Sequence, residues 1–109
     1  MQRKDFNLKI WLDDERPAPF GWLHVLTVSD AITMLGTGRV SDLSLDHDLG
    51  LSSGTGYDVL VWLEEKVATS AFELPNLFVH SRNPVGRKRM SAAIEKIYEI
   101  ARKRKHAES

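Results

Sequence analysis

The sequence predicts an α/β fold in which short parallel strands alternate with helices. Short apolar segments such as 8–12 and 77–80 alternate with longer segments that have helical periodicity. Each short apolar segment ends at charged, glycine or proline residues, which is typical of a strand that enters a loop. This alternation favours βαβ units. We therefore expect a parallel sheet that is covered by helices on both faces.

The composition is that of one globular domain. The chain has 109 residues, of which 42% are hydrophobic and 28% charged, enough for a single core. We therefore predict one domain over residues 1–109. The absence of cysteine excludes disulfides, thiolate metal sites and a cysteine nucleophile. No segment has the length or apolarity of a signal peptide or a membrane span, so we expect a cytoplasmic protein without a membrane partner.

The first half of the chain predicts three strands and one helix. The acidic and proline-containing segment 13–17 ends the first strand, and glycines end the first helix. We place the strands at residues 8–12, 24–28 and 42–45, with a helix that is capped by Ser29 or Asp30 and ends near Leu35.

The second half predicts two helices and a fourth strand. The segment 50–56 is rich in glycine and serine and is interpreted as a loop. A helix is predicted over 57–65 and a strand over 77–80. The last helix starts at Asn83 and Pro84, and its apolar residues recur at steps of three and four. Residues 102–109 are expected to form a frayed basic tail.

Acidic side chains follow two of the predicted strands. Asp13 and Asp14 come after the first strand, and Asp46 and Asp48 after the third. In parallel sheets, ligands bind beyond the carboxyl ends of the strands. Clustered carboxylates disfavour each other's ionisation unless a cation lies nearby. The four aspartates therefore predict a divalent-metal site, with Mg²⁺ or Mn²⁺ preferred and Zn²⁺ a further option.

Each acid also has an ordinary interpretation. Asp13, Asp14 and Glu15 would then be loop carboxylates that cap turns and pair with Arg16.

Two histidines lie beside these acids. His47 stands between Asp46 and Asp48, and His80 ends the fourth strand. Phosphoester cleavage uses one group that removes a proton and another that protonates the leaving oxygen. We predict His47, His80 and Asp46 as the catalytic residues. The alternatives are that a histidine here is a metal ligand or a structural, hydrogen-bonded side chain.

Four residues are candidates for binding phosphate: Arg16, Ser81, Asn83 and Arg87. The start of the last helix offers free backbone N–H groups, and arginine can bind phosphate with two parallel hydrogen bonds. The sequence is equally compatible with Ser81 and Asn83 as helix caps and with Arg87 as a solvated charge. The basic residues that follow residue 81 also allow a weaker hypothesis of RNA binding.

These motifs resemble a known family. The pattern is similar to the cyclic-phosphate-processing receiver-like family of bacteria and phages, a divergent relative of response-regulator receiver domains. The segments that carry the resemblance are LDDERPAP (12–19), SLDHDLG (44–50), GYDVLVWL (56–63) and VHSRNPVGRKRM (79–90).

The resemblance implies a receiver- or flavodoxin-like three-layer sandwich. Its sheet would have four mostly parallel strands in the order 2-1-3-4, without the fifth receiver strand and the lysine that follows it. Asp13 and Asp14 would be the metal acids. The sequence leaves open whether Asp46 or Asp48 corresponds to the receiver phospho-acceptor.

The resemblance also implies an activity. We expect a metal-assisted phosphoesterase that acts on a cyclic-phosphate nucleotide or an ADP-ribose-like substrate. The alternative is a non-catalytic module that binds a phosphorylated ligand or a protein partner.

Overall fold

The computed structural model describes residues 6–49 and 54–108 of the chain. Four strands form one all-parallel sheet in the order β2-β1-β3-β4. The α/β class and the sheet order predicted from the sequence are therefore confirmed. The elements are β1 (Leu8–Leu12), β2 (Leu23–Val25), α1 (Val28–Leu35), β3 (Val40–Leu45), α2 (Gly56–Thr69), β4 (Asn76–Val79) and α3 (Pro84–Glu108).

The core lies between the sheet and the helices. On β1, Ile10 and Leu12 are fully buried, and their neighbours in the register on β3, Leu43 and Leu45, are fully buried as well. Alternate residues of a strand point to opposite faces. One face of the sheet is therefore aliphatic and packs against the helices. None of the described helices is both apolar enough and long enough to traverse a bilayer.

The helix ends explain where the predicted boundaries differ. Helix α1 begins earlier than expected because Thr27, and not Ser29 or Asp30, is its N-cap, with the Thr27 hydroxyl accepting the N–H of Asp30. The start of α3 agrees with the prediction, because the side-chain oxygen of Asn83 accepts backbone N–H groups of the first turn. Helix α2 continues to Thr69, and α3 continues to Glu108 through basic residues for which a frayed tail was expected.

All three helices lie on one face of the sheet. Helix α1 contacts α2, and α2 contacts α3. The crossovers β2-α1-β3 and β3-α2-β4 run the same way along the sheet, and right-handed crossovers place both helices on the same side. The third layer of the expected sandwich is not found in the described part of the chain. The connection from Asp13 to Trp22 has no helix, because Pro17 and Pro19 interrupt it.

The opposite face of the sheet carries aromatic side chains. Trp22 lies 5.9 Å from Trp11 on β1 and 6.3 Å from Phe78 on β4, measured between ring centroids. Because β3 separates those two strands, Trp22 spans β3, where Ser44 is only 3% exposed. We call the surface formed by Trp11, Trp22 and Phe78 the aromatic face.

Candidate functional site

The carboxyl ends of β1 and β3 bring three acids together. Oxygen atoms of Asp13, Asp14 and Asp46 all lie within 4.8 Å of one another. Asp13 and Asp46 are buried, whereas Asp14 is more open to solvent. Asp48, the fourth acid predicted as a metal ligand, lies outside this group. Since Asp46 directly follows β3, the geometry favours Asp46 over Asp48 as the third acid of the cluster.

Asp13 organises the loop after β1. Its Oδ1 accepts the backbone N–H groups of Glu15 and Arg16, each at 2.9 Å, and its Oδ2 accepts from the Arg16 side chain at 3.1 Å and from His80 at 3.2 Å. All four acceptor positions of the carboxylate are therefore used. Burial would raise the pKa of Asp13, but the two backbone N–H groups and the Arg16 charge lower it overall. Asp13 is thus an ionised structural centre.

Arg16 lies inside the acidic cluster. Its Nε contacts Asp13, its Nη2 lies 3.6 Å from Asp46, and the same Nη2 donates to the backbone oxygen of His80 at 3.1 Å. The pairing of loop acids with Arg16, the ordinary interpretation of the sequence, is therefore present for Asp13. Asp14 has no hydrogen bond or ion pair to any other described residue, so its carboxylate is available.

His80 is fixed by contacts with three side chains. Its Nδ1 lies 2.7 Å from the hydroxyl of Ser44, its Nε2 contacts Asp13, and its ring stacks on Trp11 with centroids 3.7 Å apart. Burial lowers the pKa of His80, although Asp13 and Asp46 oppose this effect. Because an ionised carboxylate only accepts, we assign the proton to Nε2, and Nδ1 then accepts from Ser44. Both ring nitrogens are occupied, which suits a positioning role for His80.

His47 differs from His80 in having one free nitrogen. Its Nδ1 lies 2.9 Å from the carboxylate of Asp48, and its Nε2 has no partner in the described ranges 6–49 and 54–108. The hydrogen bond from His47 lowers the pKa of Asp48, with Asn83 contributing in the same direction. Asp48 therefore orients the imidazole, and Nε2 is left as an acceptor. Asp48 and His47 form a dyad suited to moving protons.

Glycines let the helices approach these loops. The N–H of Gly56 donates to the backbone oxygen of His47 at 3.0 Å, and a Cβ at Gly56 would lie 2.1 Å from the backbone oxygen of Asp46. A Cβ at Gly86 would lie 2.5 Å from the His47 ring. The first turns of α2 and α3 can therefore approach the loop after β3 only because glycine, which has no side chain, stands at these two positions. Residues 50–53 of the predicted glycine-rich loop lie outside the described residues.

A cleft of about 450 Å³ opens at the acidic cluster. Of the four predicted phosphate ligands, Arg16 and Asn83 line it. Ser81 and Arg87 do not, since Ser81 is 3% exposed and Arg87 donates to its backbone oxygen. The residues lining the cleft are Asp14, Glu15, Arg16, Asp46, Asp48, Arg82 and Asn83.

Besides Glu15, which the sequence suggested only as a loop carboxylate, the cleft residue that was not predicted from the sequence is Arg82. It is exposed and has no polar partner elsewhere in the described structure. Its signal was its position, one residue beyond Ser81 after β4. Ser44 was also missed, because only the sheet register shows that its hydroxyl reaches His80.

The acidic cluster fits a divalent cation. Asp14 and Asp46 would be the ligands, while Asp13 keeps its existing hydrogen bonds. The group contains carboxylate oxygens and no imidazole. Such a donor set suits Mg²⁺ or Mn²⁺ better than Zn²⁺.

The comparisons with known proteins identify a family. The model of the cyclic-phosphate processing receiver domain matches residues 8–96, which include every acid and both histidines described above. No curated protein and no solved structure matches the chain. The family match spans most of the 109 residues. The chain therefore belongs to the family of cyclic-phosphate-processing receiver domains.

Proposed function

We propose that this protein is a phosphoesterase that opens a cyclic phosphate on a nucleotide or an ADP-ribose-like substrate, assisted by a divalent metal. One observation carries the proposal: a cleft of about 450 Å³ is lined by Asp14 and Asp46 together with the arginines Arg16 and Arg82. Carboxylates hold a cation and arginines hold phosphate oxygens. Both kinds of ligand meet at the same place.

The charged residues of the cleft divide into two roles. Asp14 and Asp46 would hold the metal, which would polarise the phosphate and offset negative charge that develops on it. Arg82 has no competing polar partner among the described residues and binds a phosphate oxygen from the outer side of the cleft. Arg16 binds from the inner side while it keeps its contact with Asp13.

The His47–Asp48 dyad moves the proton. His47 does not itself line the cleft, but its partner Asp48 does. In the proposed reaction the Nε2 of His47 takes a proton from water as the water oxygen bonds to phosphorus, and the imidazolium then protonates the ring oxygen as its bond to phosphorus breaks. The product is a phosphate monoester. Asp48 stabilises the transient imidazolium through its contact with Nδ1. His80 acts by positioning, because it holds Asp13 and stacks on Trp11.

A substrate panel tests the proposal. The protein is incubated with nucleotide 2′,3′-cyclic phosphates and with cyclic phosphates of ADP-ribose-like compounds in the presence of Mg²⁺, Mn²⁺ or Zn²⁺, and formation of the phosphate monoester is measured. Turnover should stop on chelation and should fall by about a hundredfold or more in H47Q. The matched control is H106Q, because His106 lies in the last turn of α3 and does not line the cleft. Absence of turnover with every substrate and metal would overturn the proposal.

A second candidate function rests on Arg16. Its guanidinium already offsets the charges of Asp13 and Asp46, so the cluster can be stable without a metal. The protein would then be a non-catalytic module whose free Arg82 binds a phosphorylated ligand. Calorimetry distinguishes the two functions: the module binds the cyclic phosphate in the presence of chelator, loses affinity in R82Q and yields no product.

A further inference from the structure

The aromatic face is partly open to solvent, since Trp11 and Trp22 are half-buried and Phe78 is exposed. Phe78 is 48% exposed, and Phe20, two residues before Trp22 in the same connection, is 104% exposed. No described helix packs on this side of the sheet. Exposed aromatic clusters of this kind mark binding surfaces more often than isolated apolar residues do.

The aromatic face is physically continuous with the acidic site. His80 stacks on Trp11 at 3.7 Å and contacts Asp13 at 3.2 Å, so a single ring separates the aromatic surface from the carboxylate cluster. Trp22 extends this surface from Trp11 to Phe78. The two surfaces are therefore adjacent through His80, although His80 and the aromatic residues are not part of the cleft lining itself.

The chemistry of the face selects a flat group with polar edges. The rings meet edge to face, at 77° between Trp11 and Trp22 and 78° between Trp22 and Phe78, so they are not stacked on one another. A polar group also lies against them: the Lys9 ammonium is over the Trp22 ring, 5.7 Å from its centre. A protein helix would need a continuous apolar surface, whereas a nucleobase uses ring faces and hydrogen-bonding groups together.

We propose that the aromatic face is a base-binding subsite, and that the substrate is a nucleotide whose base stacks there while its cyclic phosphate lies in the cleft. This inference rests on the proposed function and narrows its substrate class. Both a mononucleotide and the end of an oligoribonucleotide present such a base, since the same stacking chemistry serves both.

The test compares ligands with and without a base. A W62F background removes the tryptophan of α2, so fluorescence reports on Trp11 and Trp22. The titrants are a 2′,3′-cyclic mononucleotide, a short oligoribonucleotide with the same terminus, and ribose cyclic phosphate without a base. We expect F78A to weaken nucleotide binding about tenfold and to leave the base-free ligand unchanged. The control is V61A, an exposed apolar residue on α2.

The outcomes separate the subsite from the activity. Equal affinity for ligands with and without a base, unaffected by F78A, would overturn the subsite even if both ligands were hydrolysed. Binding of the nucleotide that depends on Phe78 but yields no product would support the subsite and overturn the hydrolase. Concentration-dependent self-association that F78A abolishes, without nucleotide binding, would overturn the subsite in favour of a contact between copies. The mononucleotide and oligoribonucleotide titrations show which source of the base is preferred.

Discussion

His80 links the stability of the fold to pH. Its pKa is lowered chiefly by burial, so the folded protein binds fewer protons than the unfolded chain at and below the ordinary histidine pKa of 6.5. Between the lowered pKa of His80 and pH 6.5, the free energy of unfolding therefore rises with pH, and this stability is lost as the pH falls from 6.5 towards the lowered pKa. Asp13 acts in the same direction, beginning near its ordinary value of 3.8.

We predict that removing the imidazole flattens the upper part of this dependence. At pH 7.5 the variant H80Q should be less stable than the parent, because Ser44 and Asp13 lose a hydrogen-bond partner. On lowering the pH from 7 to 5, however, the stability of H80Q should fall by less than that of the parent. Thermal unfolding across pH measures both effects. H106Q should retain the parental slope. An identical slope in H80Q would assign the pH dependence to another group.

Gly56 and Gly36 form a matched pair for testing close packing. A Cβ at Gly56 would meet the backbone oxygen of Asp46 at 2.1 Å, whereas at Gly36 the nearest atom is 3.4 Å away and φ is −63°. G56A should destabilise the protein by about 1–3 kcal/mol, because backbone must move. G36A should be neutral or stabilising by roughly 0.5 kcal/mol. Urea denaturation gives both values, and equal effects would contradict the close approach at Gly56.

The sequence predicts a site residue where its position at the end of a strand is enough to place it in the site. Asp13, Asp14 and Asp46 follow strands, so the rule for carboxyl ends of parallel strands placed them together. Asp48 followed the same strand but turned towards His47, a choice that depends on side-chain contacts. Arg82 and Ser44 carry no motif. The contact between Ser44 and His80 depends on the sheet register, which cannot be obtained from local sequence.

At the scale of elements, the start of α1 provides a test of capping. The hydroxyl of Thr27 accepts the N–H of Asp30 at 3.1 Å, while Ser29 lies within the first turn. T27A should therefore cost about 1 kcal/mol of unfolding free energy, and S29A much less. Chemical denaturation of the two variants measures the difference. A larger loss in S29A would place the cap where the sequence alone suggested it.

The elements themselves were predictable because each has a local signal. The apolar residues of α3 recur at helical spacing, and the strands stop at charged or glycine-rich segments. The layer arrangement was not predictable in this way. A receiver-like pattern implies helices on both faces, but the connection between β1 and β2 contains Pro17 and Pro19 and stays irregular.

At the scale of the whole molecule, the site is related to the face of the sheet on which no described helix packs. With the described helices on one face, the connection from β1 to β2 crosses the other face and brings Trp22 over β3. The same connection carries Asp13, Asp14 and Arg16. One irregular segment therefore builds the acidic site and part of the aromatic face, so changes in either should affect the other.

Cation binding should appear as a change in global stability. A ligand that binds only the folded state stabilises it by RT ln(1 + [L]/Kd), which is about 2.7 kcal/mol at one hundred times Kd and roughly 10 °C in Tm for a domain of this size. We expect Mg²⁺ or Mn²⁺ to raise the Tm of the parent. D14N should lose the shift, because Asp14 is the acid without another described partner. D30N, on α1, should keep it.

The Tm shift of an Arg16 variant distinguishes the metal-assisted phosphoesterase from the non-catalytic module. If the Arg16 guanidinium serves as the cation of the cluster, the parent should show no shift with Mg²⁺ or Mn²⁺, and R16Q should acquire one, because Asp13 and Asp46 then lack a counter-charge. If a metal is the natural occupant, the parent itself responds and R16Q responds more strongly. A shift that persists in D14N would contradict both arrangements, since the cation would then bind away from the cleft.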